Sequence, residues 1–371
     1  MPGLDGVRGL AILLVMLLHL GVMIPETPVE HAVLTGVSAG WIGVDLFFVL
    51  SGALITGILL DSRGGPRYFR NFYIRRVLRI FPLYFSILIF SFYVLPHFPH
   101  PKLENFARVE GNEVWYWLYL QNFAIGLQGG CRHAIMDVTW SLAIEEQFYL
   151  VWPLLVHRLP ARRLVRLCLG VIAVGVALRV AAPAMGVDPW LVYVSTPTRL
   201  DGLCAGALVA LALRSRAPRE VLERAGRRVL AVGAAVTAVV AALSGGLPHD
   251  GRVVQSVGYT SLAAMFAGLV LLTILHSGTG SGVDRIMRSR VLTALGVYSY
   301  AIYLFHVPLR AVLRDTILRP EGFSRWPGGT LVAQLVFYVA AGAFAFVAAW
   351  ASYHLFEKHF LRLKRVLAPA G

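Results

Sequence analysis

Apolar residues run along the chain in long blocks, broken by short segments rich in arginine, glycine and proline. A helix crossing a hydrocarbon core of ~30 Å needs about 20 such residues. Ten blocks meet this, near 8–24, 38–60, 77–95, 138–157, 164–181, 197–213, 229–243, 253–276, 293–313 and 330–351. They predict an all-α, polytopic membrane helix bundle of about ten transmembrane helices, a single domain over residues 1–371. The connections are short except 96–137, and a loop that long is functional or has structure of its own. Its Trp115, Trp117, Tyr116 and Tyr119 read first as an interfacial anchor belt. The 214–228 connection alternates arginine with glutamate and predicts a short amphipathic turn of helix.

Composition agrees with the pattern. Hydrophobic residues make up 57% of the 371 and charged ones 15%, where soluble domains carry about 25% charged residues. An ordinary cytosolic enzyme, a disordered chain and a secreted disulfide scaffold are excluded. The net charge of +14 is decided by its placement. With the N-terminus inside, segments 63–76, 158–166, 214–228, 285–290 and 358–365 hold 22 Lys and Arg. The outer loops hold 7, namely Lys102, Arg108, Arg132, Arg252, Arg314, Arg319 and Arg325. Basic residues accumulate on the cytosolic side, so both termini are expected there. Nucleic-acid binding would need one contiguous basic face and is not expected.

Cys131, Cys168 and Cys204 form neither a disulfide framework nor a zinc pattern, and no metal-ligand spacing is present, so no metal is expected. Residues 8–24 resemble a signal-peptide core, but Asp5 precedes them and no small-residue cleavage site follows. A retained helix is predicted.

Ionisable groups inside a bilayer are costly and mark function. Arg8 and His19, eleven residues apart, fall on one stripe of the first helix, ~16 Å apart along its axis. Asp45, Glu145, Glu146, Arg199, Asp201 and His306 come from the second, fourth, sixth and ninth spans and sit at similar depth in the outer half. With His19 they predict one polar layer, although Arg199 with Asp201 could serve only to pin helices together. Arg75, Arg76 and Arg79 open the third span. Arg76 and Arg79 share a helix face, and paired guanidiniums suit multidentate phosphate recognition. The pattern describes a tunnel with a phosphate-binding mouth inside and a His/carboxylate layer further out. Such a tunnel suits group transfer from a cytosolic activated donor.

At these residues the chain resembles the membrane-bound acyltransferase 3 family, which includes bacterial surface-polysaccharide O-acetyltransferases. LDGVRGLAILLVMLLHLG is similar to its opening Arg-x10-His motif, matched by Arg8 and His19. GVDLFFVLSG (43–52), NFYIRRVLRIFPLY (71–84) with its Arg-x-x-Arg at Arg76 and Arg79, LQNF (120–123) and TWSLAIEEQFYLVWPLL (139–155) follow in the family's order. RLDGLCAGAL (199–208), YSYAIYLFHVPL (298–309) and SYHLFEKHF (352–360) complete the series. The closing block departs from the family in lacking the Pro that often follows Glu-Lys.

The resemblance implies a multi-pass protein of a bacterial cell membrane, lying in membrane lipid. It implies an acyl-CoA donor (acetyl-CoA in the first instance) bound from the cytosol, and a hydroxyl acceptor on a surface or exported glycan. Arg8, Arg76 and Arg79, with Arg75 beside them, would hold the donor's phosphates or adenylate end. His19 would be the catalytic histidine. Trp140, Arg199, Asp201, Tyr303 and His306 are candidates for acceptor binding. No extra C-terminal hydrolase-like domain is expected, so the protein would work alone or pass its acyl group to a separate extracytoplasmic partner.

Chemically, His19 is the natural general base. A carboxylate, Glu145, Glu146 or Asp45, would orient it by triad logic, with Glu145 or Glu146 preferred. A transient acyl-histidine is the variant. A small secondary metabolite such as a macrolide is the alternative acceptor. A transporter is the alternative that composition alone would favour, but the internal symmetry common among transporters is missing.

Overall fold

The computed structural model describes residues 2–97, 113–131 and 135–368. Much of the long loop, with Lys102, Arg108 and Arg132, lies outside the described residues. Among the described residues the regular structure is entirely helical. Ten long helices carry it: α1 (Pro2–His19), α2 (Ile42–Asp61), α3 (Tyr68–Ile89), α4 (Trp140–Arg158) and α5 (Ala161–Ala181). They continue with α6 (Thr196–Leu213), α7 (Arg219–Ser244), α8 (Tyr259–Leu275), α9 (Arg290–Thr316) and α10 (Gly329–Ser352). A closing helix, Lys358–Leu367, follows a π-helical turn at Tyr353–Glu357.

Each predicted span falls on one of the ten, but among the described residues 8 helical stretches are long and apolar enough by themselves to cross a membrane. The two that fall short are α4, with Glu145 and Glu146, and α6, with Arg199 and Asp201. Their polarity is turned inward: Arg199 and Asp201 are buried, and α6 is buried over most of its length. Neighbouring helices therefore shield these charges from lipid. The 214–228 connection also differs from its expectation. Its second half is the first turns of α7, extended by Arg219–Glu223 and Arg227–Glu223 contacts of 3.0 and 3.8 Å, i,i+4 pairs that support a helix beyond its apolar stretch.

A boundary difference with consequences for the interior is in α1. The apolar pattern runs to residue 24, yet the helix ends at His19. Side chains from α9 and α10 take the backbone groups that another turn would have satisfied. Tyr338 donates to the Leu17 carbonyl (2.8 Å), Arg310 Nη1 to that of His19 (2.6 Å) and Gln334 Nε2 to that of Leu20 (2.9 Å). The Gln334 carbonyl accepts the N–H groups of Val22 and Met23 at 3.0 and 2.8 Å. Orphaned backbone groups in an apolar interior are expensive, and these bonds close the account.

α1 and α9 run side by side in the same direction, with Asp5 against Gly296 and His19 against His306. The contact is backbone to backbone. A Cβ on Gly9 would overlap the Leu292 carbonyl, and one on Gly296 would overlap that of Asp5. Without a hydrophobic force between helices in lipid, such close packing is what holds them together. Gly296→Ala is therefore expected to cost about 1–3 kcal/mol, read as a lower unfolding temperature in detergent. Gly36→Ala, where a methyl group meets open space, should not lower it.

Candidate active site

α1, α2, α3, α4 and α9 enclose a cavity of about 850 Å³, its open mouth included. Helical periodicity decides what each contributes. From α4, Ser141, Glu145 and Tyr149 form an i,i+4,i+8 stripe, and α9 supplies Ser299, Tyr300 and Tyr303. Arg76 and Arg79 enter from α3 and Arg8 from α1, so the two basic motifs, far apart in sequence, line one cavity. Arg8 Nη1 is held by Asp5 at 2.6 Å. Arg76 Nε is buried with no hydrogen-bond partner among the described residues. Arg75, a hundred degrees round the helix from Arg76, does not line the cavity and donates to the Ala368 carbonyl at 3.1 Å.

Glu145, Ser141 and Tyr303 line the same cavity. Glu145 accepts a 2.6 Å hydrogen bond from Ser51 of α2. Tyr303 is hydrogen-bonded to Ser141 at 2.8 Å and donates to the Val138 carbonyl. Glu146, next to Glu145, turns away from the cavity lining, and its buried Oε1 has no hydrogen-bond partner among the described residues.

Behind Tyr303 lies the histidine of α1. The Tyr303 ring is 5.8 Å from that of His306, and the His306 ring is 4.9 Å from that of His19. His306 Nε2 is 3.1 Å from His19 Nδ1. His306 Nδ1 is 2.7 Å from the Tyr303 carbonyl and 3.2 Å from that of Ile302. A carbonyl only accepts, so Nδ1 of His306 carries the proton. With both rings neutral, its Nε2 is then the acceptor and His19 Nδ1 the donor. That leaves the lone pair of His19 on Nε2. The position of the His19 lone pair is thus set by a second imidazole, and among the described residues no carboxylate bonds to His19. Arg310, one turn beyond His306, fixes the same residue from the backbone side.

This corrects the expectation that Glu145, Glu146 or Asp45 orients His19. Glu145 is engaged with Ser51, and Asp45 is committed elsewhere. Both oxygens of Asp45 accept from Arg199 Nη2 at 3.0 Å, with both side chains buried. The Arg199 guanidinium sits 4.0 Å from the ring centre of Tyr259, 5.3 Å from Tyr193 and 5.8 Å from each of Trp41, Phe48 and Trp140. Asp201 pairs with Arg179 at 3.0 Å and accepts from Thr260 at 3.0 Å. Trp140, Arg199, Asp201 and Asp45 therefore form a buried cluster that does not line this cavity, whereas Phe48, over which Arg199 sits, does. Of the residues singled out from sequence, the cavity gathers Arg8, Arg76, Arg79, Glu145 and Tyr303, with His306 and His19 directly behind. Ser51, Ser141, Arg310 and Gln334 were not singled out. Arg310 could have been, lying four residues after His306 on the same helix face.

Removing one partner of a buried ion pair strands the other. Arg199→Met is expected to destabilise the protein by about 3–5 kcal/mol, measured as a fall in the thermal midpoint in detergent. Adding Asp45→Leu should recover most of the loss.

A family model described as an acyltransferase domain matches residues 1–354. The peptidoglycan O-acetyltransferase OatA of Listeria monocytogenes is 28% identical over 359 residues, covering 93% of this chain and 55% of that protein. The putative peptidoglycan O-acetyltransferase YrhL of Bacillus subtilis is 29% identical over 322 residues, covering 83% and 48%. The O-acetyltransferase OatA of Staphylococcus aureus is 27% identical over 332 residues, covering 83% and 50%. The chain spans about half the length of these curated relatives. No solved structure matches it. With the family's domain running from residue 1 to residue 354 on a bundle of membrane-spanning helices, the chain belongs to the acyltransferase 3 family and is a multi-pass membrane protein.

Proposed function

We propose that the protein is an integral-membrane O-acyltransferase that moves an acyl group from a coenzyme A thioester to a hydroxyl of a glycan. One observation carries this reading. A single cavity is lined by Arg8, Arg76 and Arg79 together with Glu145, Ser141 and Tyr303, with the His306–His19 pair one ring beyond Tyr303. Guanidiniums suit the phosphates of the donor. The acyl end then extends toward Ser141 and Tyr303. The excess of basic residues at this end of the bundle supports a cytosolic origin for the donor. The acetyl group and the glycan acceptor are drawn from the names of the relatives, two of which specify peptidoglycan.

The chemistry assigned to the chain's own residues follows from the tautomer of the histidine pair. His19 Nε2 takes the proton of the acceptor hydroxyl as that oxygen attacks the thioester carbonyl. The tetrahedral intermediate collapses, the carbon–sulfur bond breaks, and the proton leaves with the thiol. His306 keeps His19 in the one tautomer that presents a lone pair on Nε2, the part the carboxylate plays in a serine-protease triad. The Arg310 and Gln334 bonds hold the end of α1, so the ring does not drift from the reacting atoms.

Two tests follow. His19→Ala should lower turnover by roughly 10²–10⁴-fold, the range of a general base, in a protein that still inserts and folds. His306→Phe should lower it by at least roughly tenfold while donor affinity is unchanged, as expected of a group that sets a tautomer. Acyl transfer to a glycan oligomer, followed by mass spectrometry, measures both; wild-type turnover in His19→Ala would sink the base assignment. Arg76→Ala combined with Arg79→Ala should weaken acetyl-CoA binding roughly 10–100-fold, since charge-assisted bonds contribute ~1.5–3 kcal/mol each. Unchanged calorimetric affinity would reduce these arginines to topology signals.

A further inference from the structure

The closing helix, Lys358–Leu367, lies beyond residues 1–354 that the family model covers. Its sequence, KHFLRLKRVL, is amphipathic. Leu363, Val366 and Leu367 are exposed on one side, which suits a helix lying at a membrane surface. The helix packs along α3. Its C-terminal end is tied there by Arg75, whose Nε donates to the Ala368 carbonyl at 3.1 Å, a cation where the helix dipole is negative. Lys364 is half-buried and lies among Arg75, Arg76 and Arg79.

Arg8, Arg76 and Arg79 line the cavity, and the closing helix, packed on α3, sets Lys364 beside the two α3 arginines. Of the acids nearby, Asp5 pairs with Arg8, Glu145 and Glu357 accept hydrogen bonds from Ser51 and Ser352 (2.6 and 3.1 Å), and Glu146 keeps a buried oxygen without a hydrogen-bond partner among the described residues. Among the described residues Arg79 and Lys364 have no ion pair, and Arg76 Nε has no partner. Like charges drawn together away from bulk water repel, and the repulsion is relieved when an anion enters among them. The anion must carry several charges, because the cations come from three separate elements: α1, α3 and the closing helix.

We propose that Lys364 is a phosphate-binding residue of the donor site, and that the closing helix is the wall that brings it there. The guanidiniums offer planar forks to phosphate oxygens. The ammonium adds a point charge on a flexible stem, suited to a phosphomonoester or pyrophosphate of coenzyme A. This rests on the donor reading given above.

The test is acetyl-CoA binding by calorimetry, with the full chain in nanodiscs of zwitterionic lipid. Lys364→Gln should raise Kd about tenfold, and Lys364→Arg should return it to within about threefold of wild type. An acetylated pantetheine, which carries no phosphate, should bind Lys364→Gln and wild type alike. Equal acetyl-CoA affinity in Lys364→Gln overturns the proposal, as does an equal loss for the phosphate-free thioester. A loss seen only in nanodiscs of anionic lipid also overturns it, because Lys364 would then be serving a lipid headgroup. If acetyl-CoA fails to bind the wild-type protein, the donor reading itself falls. If binding depends on Arg76 and Arg79 but not on Lys364, only the present inference does.

Discussion

The end of α1 is the point on which the site depends. A helix that stops inside an apolar bundle leaves carbonyl and amide groups that neither lipid nor solvent will satisfy. Here three side chains from α9 and α10 meet that demand: Arg310 on the His19 carbonyl, Gln334 around Leu20, Val22 and Met23, and Tyr338 on Leu17. Because those bonds are obligatory, the last residue of α1 is held in one place, and that residue is His19. The glycine-mediated contact between α1 and α9 fixes the other end of the same pair. The imidazole facing His306 is thus positioned by backbone satisfaction and close packing, before any catalytic argument is made.

The buried charges divide into two populations with different surroundings. Arg199 with Asp45 and Arg179 with Asp201 are closed pairs, desolvated on all sides and, in the case of Arg199, wrapped in aromatic rings. Pairs of this kind contribute little net stability but are costly to break, and they fix how α2, α5, α6 and α8 sit together. Around the cavity Arg8 pairs with Asp5, whereas Arg79 and Lys364 have no ion pair among the described residues. Buried guanidinium nitrogens without a hydrogen-bond partner occur in both groups, on Arg76 as on Arg179 and Arg199.

Much of this was legible along the chain. All ten long helices were marked by their apolar blocks, and Arg8, Arg76, Arg79 and Glu145 were marked by the cost of placing them there. Depth along a helix, read from residue counts, brought Asp45, Glu145, Arg199 and His306 to one layer. What depth does not give is azimuth between helices. Asp45 and Glu145 lie on opposite sides of that layer, one sealed against α6 and the other open to the cavity. The choice of His306 as the partner of His19 depended on the parallel register of α1 and α9, set by glycines whose partners are nearly 300 residues away.

The sequence by itself determined that the chain is a bundle of membrane helices with arginines at one end and ionisable groups within, because length, apolarity and charge placement are one-dimensional properties with large transfer energies behind them. Only the tertiary structure decided which of those groups share a cavity and which neutralise one another. A hydrogen bond or an ion pair needs its atoms within about 3 Å, and no pattern along a single strand of residues fixes rotation and register between helices to that precision.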